Sequence, residues 1–319
     1  MKKIFITGGT GFVGSHLLDL YLKDDNVELF SIKRRRSNVD NVEHIKNRVT
    51  WFDVDITDAH CIESVIREIK PDVIHHLAAQ SFVKASFTNP AATIEVNLLA
   101  SLHILEAVKK FAKDCIVHVA SSSEVYGIPE EVPITEKMVP CPISPYAISK
   151  LAMDHASMQY HRSYGIKTVI TRTFNHGGPR RGKEFVCSSF AKQIADIEKG
   201  LKEPIIEVGN LESFRDFTDV RDIIVAYRLA IEKCNYGEPY NIASNKTISI
   251  KEILDKLLSF SSFDNVDIRQ DKDRLRPSDL NILQGDATKF ITATEWQPKY
   301  SLDEMLLDLL NYWREKNAK

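Results

Sequence analysis

The chain has 319 residues, with 42 basic and 44 acidic side chains, a formal charge of −2, 43% hydrophobic and 27% charged residues. That is the mixture of a soluble globular protein of one or two domains, and the near-neutral balance argues against general nucleic-acid or membrane-surface binding. Its five cysteines, Cys61, Cys115, Cys141, Cys187 and Cys234, are widely spaced with no Cys-x-x-Cys pair, so neither a disulfide framework nor a zinc knuckle is expected and a reducing cytoplasm fits. The apolar run after Lys3 stops at Ile6, too short for a signal peptide, and no later segment is expected to reach the length of a membrane span.

Short β-branched runs alternate with helical patterns, which predicts an α/β fold with a parallel sheet. Strands are expected at Lys3–Thr7, Val27–Ile32, Val49–Val54, Val73–Leu77, Cys115–Ala120 and Lys167–Thr173. Helices are expected over Gly14–Lys23, Ile62–Ile69, Ala91–Phe111 and Pro145–Tyr164. A Ser-rich turn (121–127) and a loop with Pro129, Pro133, Pro140 and Pro142 separate the last two strands of this block. After Phe174 the rhythm weakens into a Gly/Pro/Arg-rich segment (175–183), a helix near Phe185–Gly200, a mixed stretch (203–222) and a C-terminal helix, Leu302–Lys316. The expected organisation is a Rossmann-type, doubly wound parallel sheet over residues 1–174, then a smaller mixed α/β substrate-binding domain over 175–319. The apolar helix Asp219–Glu232 is expected to return to the sheet, so that about 212–240 rejoins the first domain.

Gly8, Gly9, Gly11 and Gly14 lie between the first strand and first helix. Such glycines make a tight turn, let the backbone approach a pyrophosphate and pack helix on strand, while the helix N-terminus offers free N–H groups to phosphate. After the second strand, where an acidic residue would hold the ribose hydroxyl of NAD, the chain reads Lys33-Arg34-Arg35-Arg36-Ser37. Guanidinium groups match a 2′-phosphate, which selects NADP over a solvated charge run or a nucleic-acid patch. Asp55 and Ile56, ending the third strand, are placed to meet the adenine.

Tyr146 and Lys150 are four apart at the start of a helix, with Ser144 as N-cap and Pro145 at the first helical position, so both side chains share one face. A nearby ammonium is expected to lower the phenol's pKa and make it a usable base. Ligands of parallel sheets bind at the carboxyl ends of strands, which brings Ser122 and Glu124 to the same place. The competing readings are turn chemistry for the serines and a solvated carboxylate for Glu124. No metal site is expected: His75 and His76 point to opposite faces of a strand, and His118 reads as a core histidine.

The segments TGGTGFVGSHL (7–17), IKRRRS (32–37), HLAAQSFVKASFTNP (76–90), ASSSEVYG (120–127), SPYAISK (144–150), FNHGGPRRGKEFV (174–186), GNLESFRDFTDVRD (209–222) and RLRPSDLNILQGDATKF (274–290) resemble the GDP-mannose 4,6-dehydratase family of extended short-chain dehydrogenases/reductases. The resemblance implies a catalytic set of Ser122, Glu124 and Tyr146, supported by Lys150. It implies cofactor contacts from Gly8, Gly9, Thr10, Gly11, Phe12, Val13 and Gly14, from Arg34, Arg35, Arg36 and Ser37, and from Asp55 and Ile56. Further cofactor contacts are implied for Leu77, Ala78, Ala79, Gln80, Ser81, Tyr146, Lys150, His176 and Arg181. Ser81, Ser122, Glu124, Asn175, Lys192, Arg215 and Arg276 would hold the GDP-sugar, the last three with Asn175 on its diphosphate. In such a dehydratase NADP takes hydride from C4, water leaves across C5 and C6, and hydride returns to C6, so the cofactor stays bound. The family implies a cytoplasmic homodimer or homotetramer, with the 179–182 loop at the oligomer contact. Ser122 stands where these dehydratases usually carry threonine, and Gly177-Gly178 replaces a more polar pair. Related readings are a GDP-4-keto-6-deoxy-mannose reductase, a dehydratase of GDP-manno-heptose, a C4 epimerase and a non-catalytic dinucleotide sensor.

Overall fold

The computed structural model describes residues 1–263, 265–275 and 280–318. Its strands are β1 (Lys2–Thr7), β2 (Val27–Lys33), β3 (Thr50–Asp53), β4 (Val73–His76), β5 (Ile116–Ala120), β6 (Lys167–Thr173), β7 (Asn175–Gly177), β8 (Ile205–Val208), β9 (Phe214–Arg215), β10 (Phe217–Asp219), β11 (Pro239–Ile242), β12 (Ile248–Ser249), β13 (Asp267–Gln270) and β14 (Ile282–Leu283). The helices are α1 (Phe12–Tyr21), α2 (Ala59–Ile69), α3 (Val83–Thr88), α4 (Pro90–Ile94), α5 (Ala100–Phe111), α6 (Pro145–Tyr164), α7 (Val186–Glu198), α8 (Val220–Lys233), α9 (Ile250–Ser259), α10 (Thr288–Thr294) and α11 (Leu302–Asn317).

Seven strands form one sheet in the order β11-β6-β5-β4-β1-β2-β3, every neighbouring pair parallel. Successive side chains on a strand point to opposite faces. Phe5, Ile74, Val117 and Ile170 therefore pack under α2, α5 and α6, while Ile4, Ile6 and Val73 pack under α1 and α8. Both faces are buried, which is why these strands read as unbroken apolar runs rather than alternating ones. Each buried Val, Leu, Ile or Phe contributes about 1.5–3 kcal/mol of transfer free energy. A second core joins α7, α9 and α11 with β8.

Local chemistry sets the element ends. Ser144 caps α6 by accepting from the Ala147 amide at 3.1 Å, with Pro145 following, and Gly165 ends the helix at φ +71°. Such a left-handed stop favours glycine. Ser249 with Glu252, and Ser301 with Glu304, form capping boxes at α9 and α11, the reciprocal side chain–backbone bonds expected of Ser-x-x-Glu.

The structure corrects three expectations. The single helix over 91–111 is interrupted: α4 passes through a π turn, Glu95–Leu99, into α5. The extra residue of that turn coincides with buried Asn97, whose amide serves groups outside the helix. The strands of the sheet do not end at 173, because β11, a strand that was not expected, adds an edge beside β6; α8, the helix expected to return, does pack against α1. Third, residues 90–111 are long and apolar enough to cross a membrane by length and composition; in the fold α5 packs instead against α2 and α6.

Candidate active site

A cavity of about 630 Å³ lies along the carboxyl ends of β1, β2, β4, β5 and β6. At its floor Gly8 sits at φ +73°, and a Cβ there would come within 2.9 Å of the Ala78 amide nitrogen. Only glycine serves both demands. The Gly11 amide donates to the Gly8 carbonyl at 3.0 Å, closing the turn, and α1 starts at Gly11 without a side-chain cap. Its first amides are therefore left for an anion. Gly8, Thr10, Gly11, Phe12, Val13 and Gly14 line the cavity. Gly9 does not; it backs onto Ser31 and Leu18.

The basic run divides in the same way. The Arg34 amide donates to Ser37 Oγ at 3.1 Å and the Ser37 amide to the Arg34 carbonyl at 2.9 Å, making a turn that puts Arg34 and Ser37 on the wall. Arg35 and Arg36 are exposed and off it. Asp55 and Ile56 are on the wall, with Asp55 Oδ1 accepting from the Thr57 amide and hydroxyl. Leu77, Ala78, Ala79, Gln80 and Ser81 follow β4 along the cavity, steadied by Leu77 and Ala78 amides donating to Thr7 Oγ1 at 3.2 Å.

At the deep end stand Ser122, Glu124, Tyr146 and Lys150. Ser122 caps the short 3₁₀ turn Ser123–Tyr126, its Oγ accepting from the Glu124 amide at 3.2 Å, and its hydroxyl is near enough to Tyr146 to favour the ionised phenol. Lys150, 4% exposed, donates to the Ala120 carbonyl at 2.8 Å. The expected depression of the phenol by this ammonium is corrected. Nζ lies 5.9 Å from the Tyr146 ring centroid and burial dominates, pushing Tyr146 up to about 12 against the opposing bond from Ser122. Burial also pushes Lys150 down to about 8, opposed by the carboxylate of Asp154.

Behind these groups runs a buried polar network. Arg172 Nε donates to Asp154 Oδ2 at 2.7 Å, and its Nη1 to the Tyr126 hydroxyl at 3.1 Å; that hydroxyl donates to Asn241 Oδ1 at 2.7 Å. On the other side, Asn97 accepts from the Gln80 amide at 2.8 Å and donates to the Gln80 carbonyl and to Ser149 Oγ. Ser149 in turn donates to the Tyr146 carbonyl. Asn97 thus couples the 77–81 loop to the helix of Tyr146 and Lys150. Sequence reading passed over it, and the only signal was a polar residue inside an apolar helical run.

The opposite wall comes from the end of β6 and the segment after it, Thr173, Asn175, His176, Arg181 and Phe185, and, from α8, Tyr227. Thr173, Phe185 and Tyr227 had no sequence signal as site residues. Arg181 lies between the rings of Phe12 and Phe185, 4.9 and 3.4 Å from their centroids. Burial pushes it down to about 10, and its buried Nε has no hydrogen-bond partner, a donor suited to an anionic ligand. Lys192 and Arg215 are not on the wall. The Lys192 ammonium pairs with Asp196 at 2.5 Å, and Arg215 donates to the Phe214 and Leu280 carbonyls. Arg276 lies outside the described residues.

His75 and His76 diverge as strand alternation requires. His75 bonds Tyr21 and His118 on the α1 face, and His76 bonds Thr7 and, on the α5 face, Ser101.

A doubly wound parallel sheet with a glycine turn after β1 and a Tyr-x-x-x-Lys pair beside the end of β5 defines a Rossmann-type protein of the short-chain dehydrogenase/reductase kind. Residues 5–309 match the family described as GDP-mannose 4,6 dehydratase, and the chain belongs to that family. It is 31% identical to the GDP-6-deoxy-D-mannose reductase of Pseudomonas aeruginosa, covering 99% of this chain and 98% of that protein. It is 30% identical to the human GDP-mannose 4,6 dehydratase over 96% of this chain and 90% of that one. The solved structure of RMD from Pseudomonas aeruginosa complexed with NADPH superposes with a TM-score of 0.85 at 30% identity, covering 99% of this chain and all of that one.

Proposed function

We propose that the protein is an NADP-dependent GDP-mannose 4,6-dehydratase, forming GDP-4-keto-6-deoxy-mannose. The observation that carries this reading is that Glu124 shares the cavity with Ser122 and Tyr146: removing a proton from C5 calls for a carboxylate that simple hydride transfer to a ketone does not use. The cradle fits a dinucleotide, since a Cβ on Gly8 or Gly14 would strike backbone at 2.9 and 2.2 Å, and Arg181 offers an unpartnered donor. Arg34 and Ser37 suit the extra phosphate of NADP. Bound NADP would supply the hydride acceptor for C4 and return that hydride to C6.

The chain's own groups divide the proton work. Tyr146, having first given up its own phenol proton, takes the C4 hydroxyl proton as the phenolate, with Ser122 and Lys150 beside it. Glu124 takes the C5 proton, and Ser122 or Glu124 protonates the departing C6 hydroxyl. Asn97 holds Gln80 and the Tyr146 helix in register. Residues 1–174 with about 212–240 would hold the cofactor, and the remainder most of the GDP-sugar, whose diphosphate would meet Asn175, Lys192 and Arg276 and, from the rejoined segment, Arg215. Lys192 would have to exchange its carboxylate partner for the phosphate. The enzyme would work in the cytoplasm as a homodimer or homotetramer.

A second reading, a GDP-4-keto-6-deoxy-mannose reductase, is favoured by the end-to-end match to the Pseudomonas reductase. In that case Tyr146 donates its proton to the keto oxygen and NADPH is consumed stoichiometrically. Incubating the protein with GDP-mannose, trace NADP and D₂O separates them by mass spectrometry. A product lighter by one water and carrying deuterium at C5 is expected. Unchanged GDP-mannose, with NADPH consumed on the 4-keto sugar, would replace the dehydratase by the reductase. Turnover of GDP-manno-heptose alone would move the substrate instead.

A further inference from the structure

One face of α1 closes onto the segment that follows β6. Phe12, His16 and Asp19 are spaced i, i+4 and i+7, which aligns them along a helix. Phe12 stacks in parallel on the His176 ring at 5.9 Å. His16 Nε2 donates to the Pro179 carbonyl at 2.9 Å. Asp19 Oδ2 accepts from Arg180 Nη1 at 2.7 Å, and its other oxygen accepts from His44 Nε2 at 2.8 Å. The three contacts step along the helix as the chain steps from 176 to 180.

The cavity lies on the inner side of this seam. Phe12, His176 and Arg181 are on its wall, whereas Asp19 and Arg180 are not. Arg180 is held at φ +71°, a left-handed conformation that a long side chain adopts only when its surroundings demand it. Consecutive arginines therefore go opposite ways: Arg180 outward to Asp19, and Arg181 inward between Phe12 and Phe185. On its other side the segment packs closely on α11 and α8 through Gly177 and Gly178. A Cβ on Gly177 would meet Met305 of α11 at 2.9 Å, and Gly178, at φ +131°, sits against Val220 of α8.

We propose that Asp19 and Arg180 are positioning residues that form a latch, fastening the 176–181 segment to α1 and setting the rate at which the bound dinucleotide leaves. The inference rests on the reading that the cavity holds NADP(H). A ligand lying between the glycine turn and Arg181 would be flanked by α1 and by the 176–181 segment, and the Asp19–Arg180 pair is a charged tie between those two walls. A slow exit suits a reaction in which the hydride is returned within each turnover; a reductase must release its oxidised cofactor every cycle.

The test is stopped-flow fluorescence of NADPH leaving the full-length protein, chased with excess NADP. Asp19→Asn removes the carboxylate charge. Arg180→Gly removes the cation while suiting the left-handed backbone. Each is expected to speed release about threefold to tenfold, the range for a partly exposed, charge-assisted pair. The exchanged pair Asp19→Arg with Arg180→Asp, whose aspartate tolerates that backbone conformation, should return the rate toward wild type. Unchanged release in both single variants overturns the latch, as does faster release that the exchanged pair fails to slow. A wild-type chain that binds no NADPH removes the dinucleotide reading itself, and the latch with it.

Discussion

Acidifying the protein from about pH 7 to about pH 5.5 is expected to cost it a large part of its stability, because five histidines are kept neutral by burial. Desolvation pushes His75, His76 and His176 down to about 3 and His16 to about 4, and carries His118 well below its ordinary value. The folded pKa lies below the unfolded one near 6.5, so the unfolded chain binds more protons and stability falls as pH drops below 6.5. Between pH 7 and 5.5 each ring contributes about 1.2 kcal/mol of loss, since the unfolded histidine becomes roughly nine-tenths protonated while the folded one stays neutral. Asp216 acts the other way. Burial raises it to about 6, so its penalty at neutral pH is relieved on acidification, returning about 0.8 kcal/mol. The net expectation is a loss of about 5 kcal/mol, against a total stability of about 5–15 kcal/mol for a folded domain. Urea unfolding followed by tryptophan fluorescence at the two pH values measures it. A free energy that changes by less than about 1 kcal/mol would show that these rings are not the buried neutral groups described here.

Three substitutions probe the site and its support. Tyr146→Phe should lower kcat by about 10²–10⁴; unchanged turnover would remove Tyr146 from the chemistry. Arg34→Ala should cut the preference for NADP over NAD by about tenfold or more, read from equilibrium binding of both cofactors, because one charge-assisted contact to the 2′-phosphate is lost. Asp154→Asn leaves Arg172 buried without its carboxylate and should cost about 3–5 kcal/mol in chemical unfolding. Replacing both partners by apolar residues should cost less than the single change.

The glycine turn, the Ser122/Glu124 strand end and the Tyr146/Lys150 pair were legible because each lies within one local pattern. A strand-to-helix turn, a strand end and two residues four apart on a helix need no knowledge of the rest of the chain. Asn97 was not legible: its partners, Gln80 and Ser149, lie 17 and 52 residues away. The Asp154–Arg172 pair and the return of β11 to the sheet depend equally on distant segments meeting. The Ser249/Glu252 cap of α9 is a local pattern too, Ser-x-x-Glu ahead of an apolar run.

By itself the sequence determined the parallel sheet and the glycine turn at its carboxyl edge, since unbroken apolar runs, caps and glycine turns are local properties of the backbone. Only the tertiary structure decided which basic residues face the cavity. It put Arg34 but not Arg35 or Arg36 on the wall, and turned Arg181 inward while Arg180 went to Asp19. It also decided that Tyr146 is held above its ordinary pKa. The physical reason is that orientation and desolvation are set by everything packed around a side chain, and four-residue spacing carries no information about what will cover it.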